Sequence, residues 1–123
     1  MKIRIRGNSI RIRLSKTEVY TLAVSGIVEE ATMFPTGSFK YVLKATADTE
    51  HLHAALNNNA IIVYVPEKIA KGWNNNNIVG YDHKMELPDG NTLSLLVEKD
   101  FKCIDASGNE DQSDNYENPM QTC

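Results

Sequence analysis

"SIRIRLSKTEVYTLAVSGIVEE" (residues 9–30) and "AIIVYVPEKIAKGWNNNNIVGY" (60–81) align without a gap at an offset of 51 positions. Their apolar positions coincide: Ile10 with Ile61, Ile12 with Val63, Leu14 with Val65, Val19 with Ala70, Leu22 with Trp73, Ile27 with Ile78, and Val28 with Val79. Few identities accompany the match, so what recurs is a pattern of burial. Upstream, the same offset lays "KIRIRGN" (2–8) over "HAALNNN" (53–59), so that Gly7-Asn8 meets Asn58-Asn59. Glycine and asparagine both tolerate the positive φ of a two-residue hairpin turn. Beyond Val28, with two residues inserted, "FPTGSFKYVLKA" (34–45) faces "LPDGNTLSLLVE" (87–98), each a Pro-x-Gly turn between strand-like runs.

Each unit therefore reads strand, tight turn, strand, short helix, strand, turn, strand. The helix signals stand apart from the alignment. Ser15 followed by Glu18 is a capping box, and Gly26 supplies a left-handed stop. In the second unit Pro66 falls near the first helical position, where its missing N–H costs nothing, and the Asn74 to Asn77 run ends the helix. Val19, Leu22 and Val24, like Ile69, Ala70 and Trp73, are expected on the buried faces. Helices this short do not persist alone and need a sheet beneath them. The expectation is a mainly β fold with minor α content: a pseudo-symmetric barrel or sandwich built from two ββαββ repeats. The repeats, 2–47 and 53–100, share a single domain over 1–103, and 104–123 form an acidic tail.

The first hairpin carries an unusual charge. A turn at Gly7-Asn8 pairs Lys2 with Arg13, Arg4 with Arg11, and Arg6 with Ser9. Period-two alternation then sends Ile3, Ile5, Ile10, Ile12 and Leu14 to one face and Lys2, Arg4, Arg6, Arg11 and Arg13 to the other. Like charges directly opposite destabilise a sheet by a few tenths to about 1 kcal/mol per pair. Something anionic is expected to cover that face.

The net charge of −3 hides an asymmetry, because residues 1–47 carry eight Lys/Arg against three Glu, whereas 48–123 carry five Lys against thirteen acids. Composition, 41% hydrophobic and 24% charged, is that of a soluble globular chain. No apolar run reaches the roughly eighteen residues of a membrane span, and "MKIRIR" leads into alternation instead of a signal-peptide core, so a cytoplasmic protein is expected. Cys103 and Cys123 are expected to be reduced thiols, since two cysteines make no disulfide framework.

At "AIIVYVPEKIAKGW...VGYDHKMELPDGNTLSLLVEK" (60–99) the pattern of a strand ending in Pro, a short helix and a following hairpin resembles the AbrB-like swapped-hairpin domain of bacterial regulators and antitoxins. In that family two such units interleave into one barrel, sometimes as tandem copies in one chain, as in the MraZ type. The resemblance covers residues 2–99 and implies a DNA-binding regulator or antitoxin-like module. Where the family commonly has Gly-Arg before the Pro-ending strand this chain has Asn59-Ala60, and its first unit has Ser15 in place of the Pro, so no DNA-contacting residue carries over. "MKIRIRGNSIRIRLSKTEV" and "EDQSDNYENP" also resemble a small family of uncharacterised bacterial proteins.

Three partners suit the basic face: nucleic-acid phosphates, an acidic protein, or the chain's own tail, whose Asp105, Glu110, Asp111, Asp114 and Glu117 fold back over Arg4, Arg11 and Arg13 with Tyr116 and Pro119 as anchors. A bland alternative has Glu18, Glu29 and Glu30 on neighbouring strands as counter-charges. No constellation asks for catalysis, a cofactor or a metal. His51, His53 and Cys103 make at most three zinc ligands where a closed structural site needs four. Trp73 is expected in the core. The resulting expectation is a non-enzymatic binding module, with the DNA-binding regulator as the alternative.

Overall fold

The computed structural model of the chain describes residues 1–102 and 113–117. Its elements run β1 (Lys2–Arg6), β2 (Ser9–Leu14), α1 (Lys16–Ser25), β3 (Ile27–Phe34), β4 (Gly37–Thr46), β5 (His53–Asn57), β6 (Ala60–Pro66), α2 (Glu67–Gly72) with a 3-10 turn (Trp73–Asn75), β7 (Gly80–Glu86) and β8 (Thr92–Lys99).

The first hairpin has the predicted register, Lys2 opposite Arg13, Arg4 opposite Arg11 and Arg6 opposite Ser9. The corresponding turn at Asn58 and Asn59 holds both residues at positive φ, 49° and 63°. Ser15 caps α1: its side chain accepts the Glu18 N–H while Glu18 Oε1 accepts the Ser15 N–H at 2.9 Å. Gly26 ends the helix at φ 77°, a left-handed conformation that a side chain would strain. Pro66 stands at the N-cap of α2 with no side-chain cap, and helix packing carries what capping does not.

The strands form two four-stranded sheets, β1-β2-β8-β7 and β3-β4-β6-β5. The central pairs, β2 with β8 and β4 with β6, are parallel, whereas every hairpin pair is antiparallel. Each sheet thus takes one hairpin from each half of the chain. The helices are the crossovers: α1 carries the chain from β2 in the first sheet to β3 in the second, and α2 carries it from β6 back to β7. Each helix thus links the two sheets, and the parallel neighbours β4 and β6 are joined through β5.

A single core lies between the sheets. Ile10, Ile12, Leu14, Leu95 and Val97 from the first meet Val28, Leu43, Ile61, Val63 and Val65 from the second. Val19 and Leu22 of α1, with Ala70 and Trp73, close one end, and the Trp73 indole N–H donates to the Ile78 carbonyl at 2.8 Å. Among the described residues no strand pairing joins the two sheets, so the architecture is the sandwich and not the closed barrel. Side chains bridge the gap instead. On one seam Tyr41 Oη donates to the Met1 carbonyl at 3.2 Å, and the Met1 ammonium pairs with Glu18 and Glu30. On the other seam His51 stacks on His83 at 4.5 Å between ring centroids.

Three packing expectations are corrected. Val24 is 66% exposed, because two residues along a helix from Leu22 turns the side chain away from the buried stripe. Ile5 is 55% exposed, lying toward the end of an edge strand where the core has tapered off. Val79 does not occupy the place of Val28: Val28 pairs with Leu43 in β4, whereas Tyr81 pairs with Val97 in β8 and Val79 is exposed. The two extra residues of the second half therefore lie between its helix and β7, in the stretch 74–79, which is loop after the 3-10 turn.

No helix among the described residues is long and apolar enough to cross a membrane. Cys103 and Cys123 lie outside the described residues, as do Pro119 and most of the acidic tail. Residues 113–117 fall within the predicted tail yet pack on the body. The Tyr116 N–H donates to the Asp100 carbonyl at 2.8 Å, and Asn115 is buried.

Candidate anion-binding site

Strand alternation puts Lys2, Arg4, Arg11 and Arg13 on the outer face of the first sheet, with Arg6 next to Ser9 at the hairpin's turn end. The parallel pairing of β2 with β8 then sets Arg13 beside Glu98. Glu98 Oε1 accepts the Arg13 Nε–H at 2.8 Å and the Arg11 Nε–H at 2.5 Å. One carboxylate oxygen thus grips two guanidiniums by their inner nitrogens. The outer amino groups of both arginines have no hydrogen-bond partner among the described residues.

Lys2 pairs with buried Asp100 at 2.8 Å. Arg4 and Arg6 are exposed and meet no carboxylate among the described residues. Lys2, Ile3, Arg4, Arg11 and Arg13 line a depression of about 170 Å³. Of the four arginines on this hairpin, Arg11 and Arg13 share one carboxylate and Arg4 and Arg6 meet none among the described residues.

The position of Glu98 depends on a glycine across the next strand pair. Gly80 lies opposite Glu98, and a Cβ there would come within 2.7 Å of the Val97 carbonyl and 2.8 Å of Glu98 Cβ. Only a residue without a side chain lets β7 approach β8 so closely at this point.

The acids expected as counter-charges are elsewhere. Glu18 and Glu30 hold the Met1 ammonium, and Glu29 faces Lys40 at 3.9 Å. The described part of the tail is likewise off the basic face. Asp114 accepts the Thr17 hydroxyl at 3.0 Å at the start of α1, and Glu117 pairs with Lys102 at 2.7 Å. Donation from the Ser15 side chain, then from Thr17, holds the Asp114 carboxyl below its usual range. Tyr116 does anchor this segment, its ring 5.0 Å from the Lys99 ammonium, and burial pulls the Lys99 pKa down. Asp105, Glu110 and Asp111 lie outside the described residues.

Glu98 and Asp100 were not legible as site residues, because nothing in the sequence announces that β8 runs parallel beside β2. The available signal was positional: Glu98 alternates outward from buried Val97 and Leu95. Of the three residues weighed and set aside as zinc ligands, His51 stacks on His83, the His53 ring centroid lies 6.3 Å from that of Tyr64, and Cys103 is outside the described residues. Among the described residues no three His, Cys, Asp or Glu side chains group as metal ligands. A larger cleft of about 770 Å³ beside α2 sets Glu50 and Glu67 against Lys68 and Lys71, a mixed set with no surplus of either sign.

A family model described as a family of unknown function (DUF7009) matches residues 1–120. No curated protein and no solved structure matches the chain.

Proposed function

We propose, for a chain that belongs to DUF7009, a family of unknown function, that it is a non-enzymatic binding protein whose β1–β2 face holds an acidic partner. The observation that carries this is the imbalance on that face: among the described residues Glu98 pairs with Arg11 and Arg13, while Arg4 and Arg6 meet no carboxylate. Keeping cations opposite one another across a hairpin costs stability unless a ligand neutralises them. Edge-strand charge also deters sheet-to-sheet aggregation, but a single row of lysines does that without paired arginines.

The interleaving of hairpins between the halves supports descent from one duplicated ββαββ unit. It also supports kinship with the AbrB-like swapped-hairpin domain in its tandem, MraZ-type arrangement. DNA binding by the same face is the second reading, favoured by that topology and by the width of a two-stranded ribbon, which fits a major groove.

Retention on immobilised heparin across a salt series tests the proposal. The double variant Arg4→Ala/Arg6→Ala is expected to elute at distinctly lower salt, since each lost contact with an anionic group of the polyanion releases fewer counterions on binding. Unchanged elution of a folded variant would end it. A mobility shift with duplex DNA that is steeply salt-dependent and lost in the same variant would favour the regulator reading.

A further inference from the structure

We infer that Arg4, Arg11 and Arg13, the latter two oriented by Glu98, form a seat for one phosphomonoester dianion on the acidic partner. This rests on the binding reading above and narrows it from polyanions in general to a single terminal phosphate.

Three observations converge. The first is orientation. Each of Arg11 and Arg13 donates its Nε–H to the same Glu98 oxygen, at 2.5 and 2.8 Å. A guanidinium held by its inner nitrogen keeps its outer amino groups for a second acceptor, and such planar forks match the oxygens of phosphate. Residues that position a charged group before the ligand arrives reduce the ordering cost of binding.

The second is charge. Arg4, Arg11 and Arg13 against Glu98 leave a surplus of two positive charges, with Lys2 and Asp100 compensating each other as a pair. A carboxylate or a phosphodiester brings one negative charge, whereas a phosphomonoester brings close to two at neutral pH. The third is size. The depression these arginines line is about 170 Å³. Small-molecule sites occupy about 300–1,000 Å³, so this one takes a group and not a whole cofactor.

The test is NMR titration of the full chain with inorganic phosphate, sulfate and diethyl phosphate, following the Arg11 and Arg13 side-chain Nε–H signals. Phosphate and sulfate are expected to move those signals saturably, and diethyl phosphate, a monoanion, to bind at least about tenfold more weakly. Phosphate affinity is expected to rise with pH as the dianion forms at its second ionisation, and sulfate affinity to stay flat. Arg11→Lys and Arg13→Lys keep the charge and lose the fork, so each should weaken phosphate binding by about tenfold. Lys44→Gln, an exposed change on the other sheet, should leave it unchanged.

Equal binding of diethyl phosphate and phosphate, or full affinity in both Lys variants, would overturn the seat. Heparin retention without phosphate binding would also overturn the seat while leaving the broader binding proposal standing. Failure of both ligands would remove both. Melting temperatures close to that of the unmodified chain establish that the variants are folded.

Discussion

The two sheets are built on one plan and present different chemistry to solvent. In the first, Arg4 faces Arg11 and Lys2 faces Arg13, with Glu98 next in the row. In the second, Ala55 faces Ile62 and His53 faces Tyr64, with Lys44 where the first sheet has Glu98. Beneath these rows the inward residues are near equivalents: Ile12 and Val97 in one sheet, Val63 and Leu43 in the other. Inward positions are restricted by packing and stay apolar, whereas outward positions are free to differ. The difference therefore marks where this chain has departed from what the fold requires, and it is the cationic sheet that needs a reason beyond stability.

The largest expected effect lies in what the two sheets share. Trp73→Ala should cost about 3–5 kcal/mol, read as a lower urea midpoint, because the fully buried indole touches elements of both halves. A loss under about 1 kcal/mol would show that the helices do not seal a common core.

Next comes the glycine that serves only the cationic sheet. Gly80→Ala should destabilise by about 1–3 kcal/mol, since its Cβ would press on the Val97 carbonyl at 2.7 Å. It should also shift the Arg11 and Arg13 Nε–H signals by displacing Glu98. Ile27, which starts β3 as Gly80 starts β7, carries a full side chain and is 40% exposed. Ile27→Ala is accordingly expected to stay within about 0.5 kcal/mol.

The helices extend the contrast. Glu18→Ala removes half of a capping box and a partner of the Met1 ammonium, and should cost about 1–2 kcal/mol. Glu67→Ala in α2 removes only an exposed pair with Lys71 and should cost about 0.5 kcal/mol or less. Equal losses would break the distinction.

The smallest effect is on acidification. The Asp114 carboxyl is depressed by donors at the start of α1, so its stabilisation is full above the ordinary Asp value of about 3.9 and fades as pH falls through its lower folded value. Tyr116 signals should report release of residues 113–117 over that range, and Asp114→Asn should flatten the response.

Much of this molecule is local in origin and was readable as such. The Gly7-Asn8 turn fixes the β1–β2 register, so the shared face of Arg4 and Arg11 follows from alternation alone. Ser15, Glu18 and Gly26 bound α1 through contacts within a few residues. The correspondence of Val28 with Val79 failed because a gapless alignment cannot see that the loop over 74–79 absorbs two residues before β7 begins. Glu18, Glu29 and Glu30 failed as partners of the arginines because charge alone does not say which strand lies next door.

The sequence by itself determined the units of this protein: its hairpins, its capped helix, its alternating faces and the cationic row, all set by neighbours within about four residues along the chain or across a tight turn. Only the tertiary structure decided the partners of those units. Parallel pairing of β2 with β8 joins residues more than eighty positions apart, and such pairing is chosen by the burial of both sheets' apolar faces in one core, a property of the whole chain and not of any segment. That choice set Glu98 between Arg11 and Arg13.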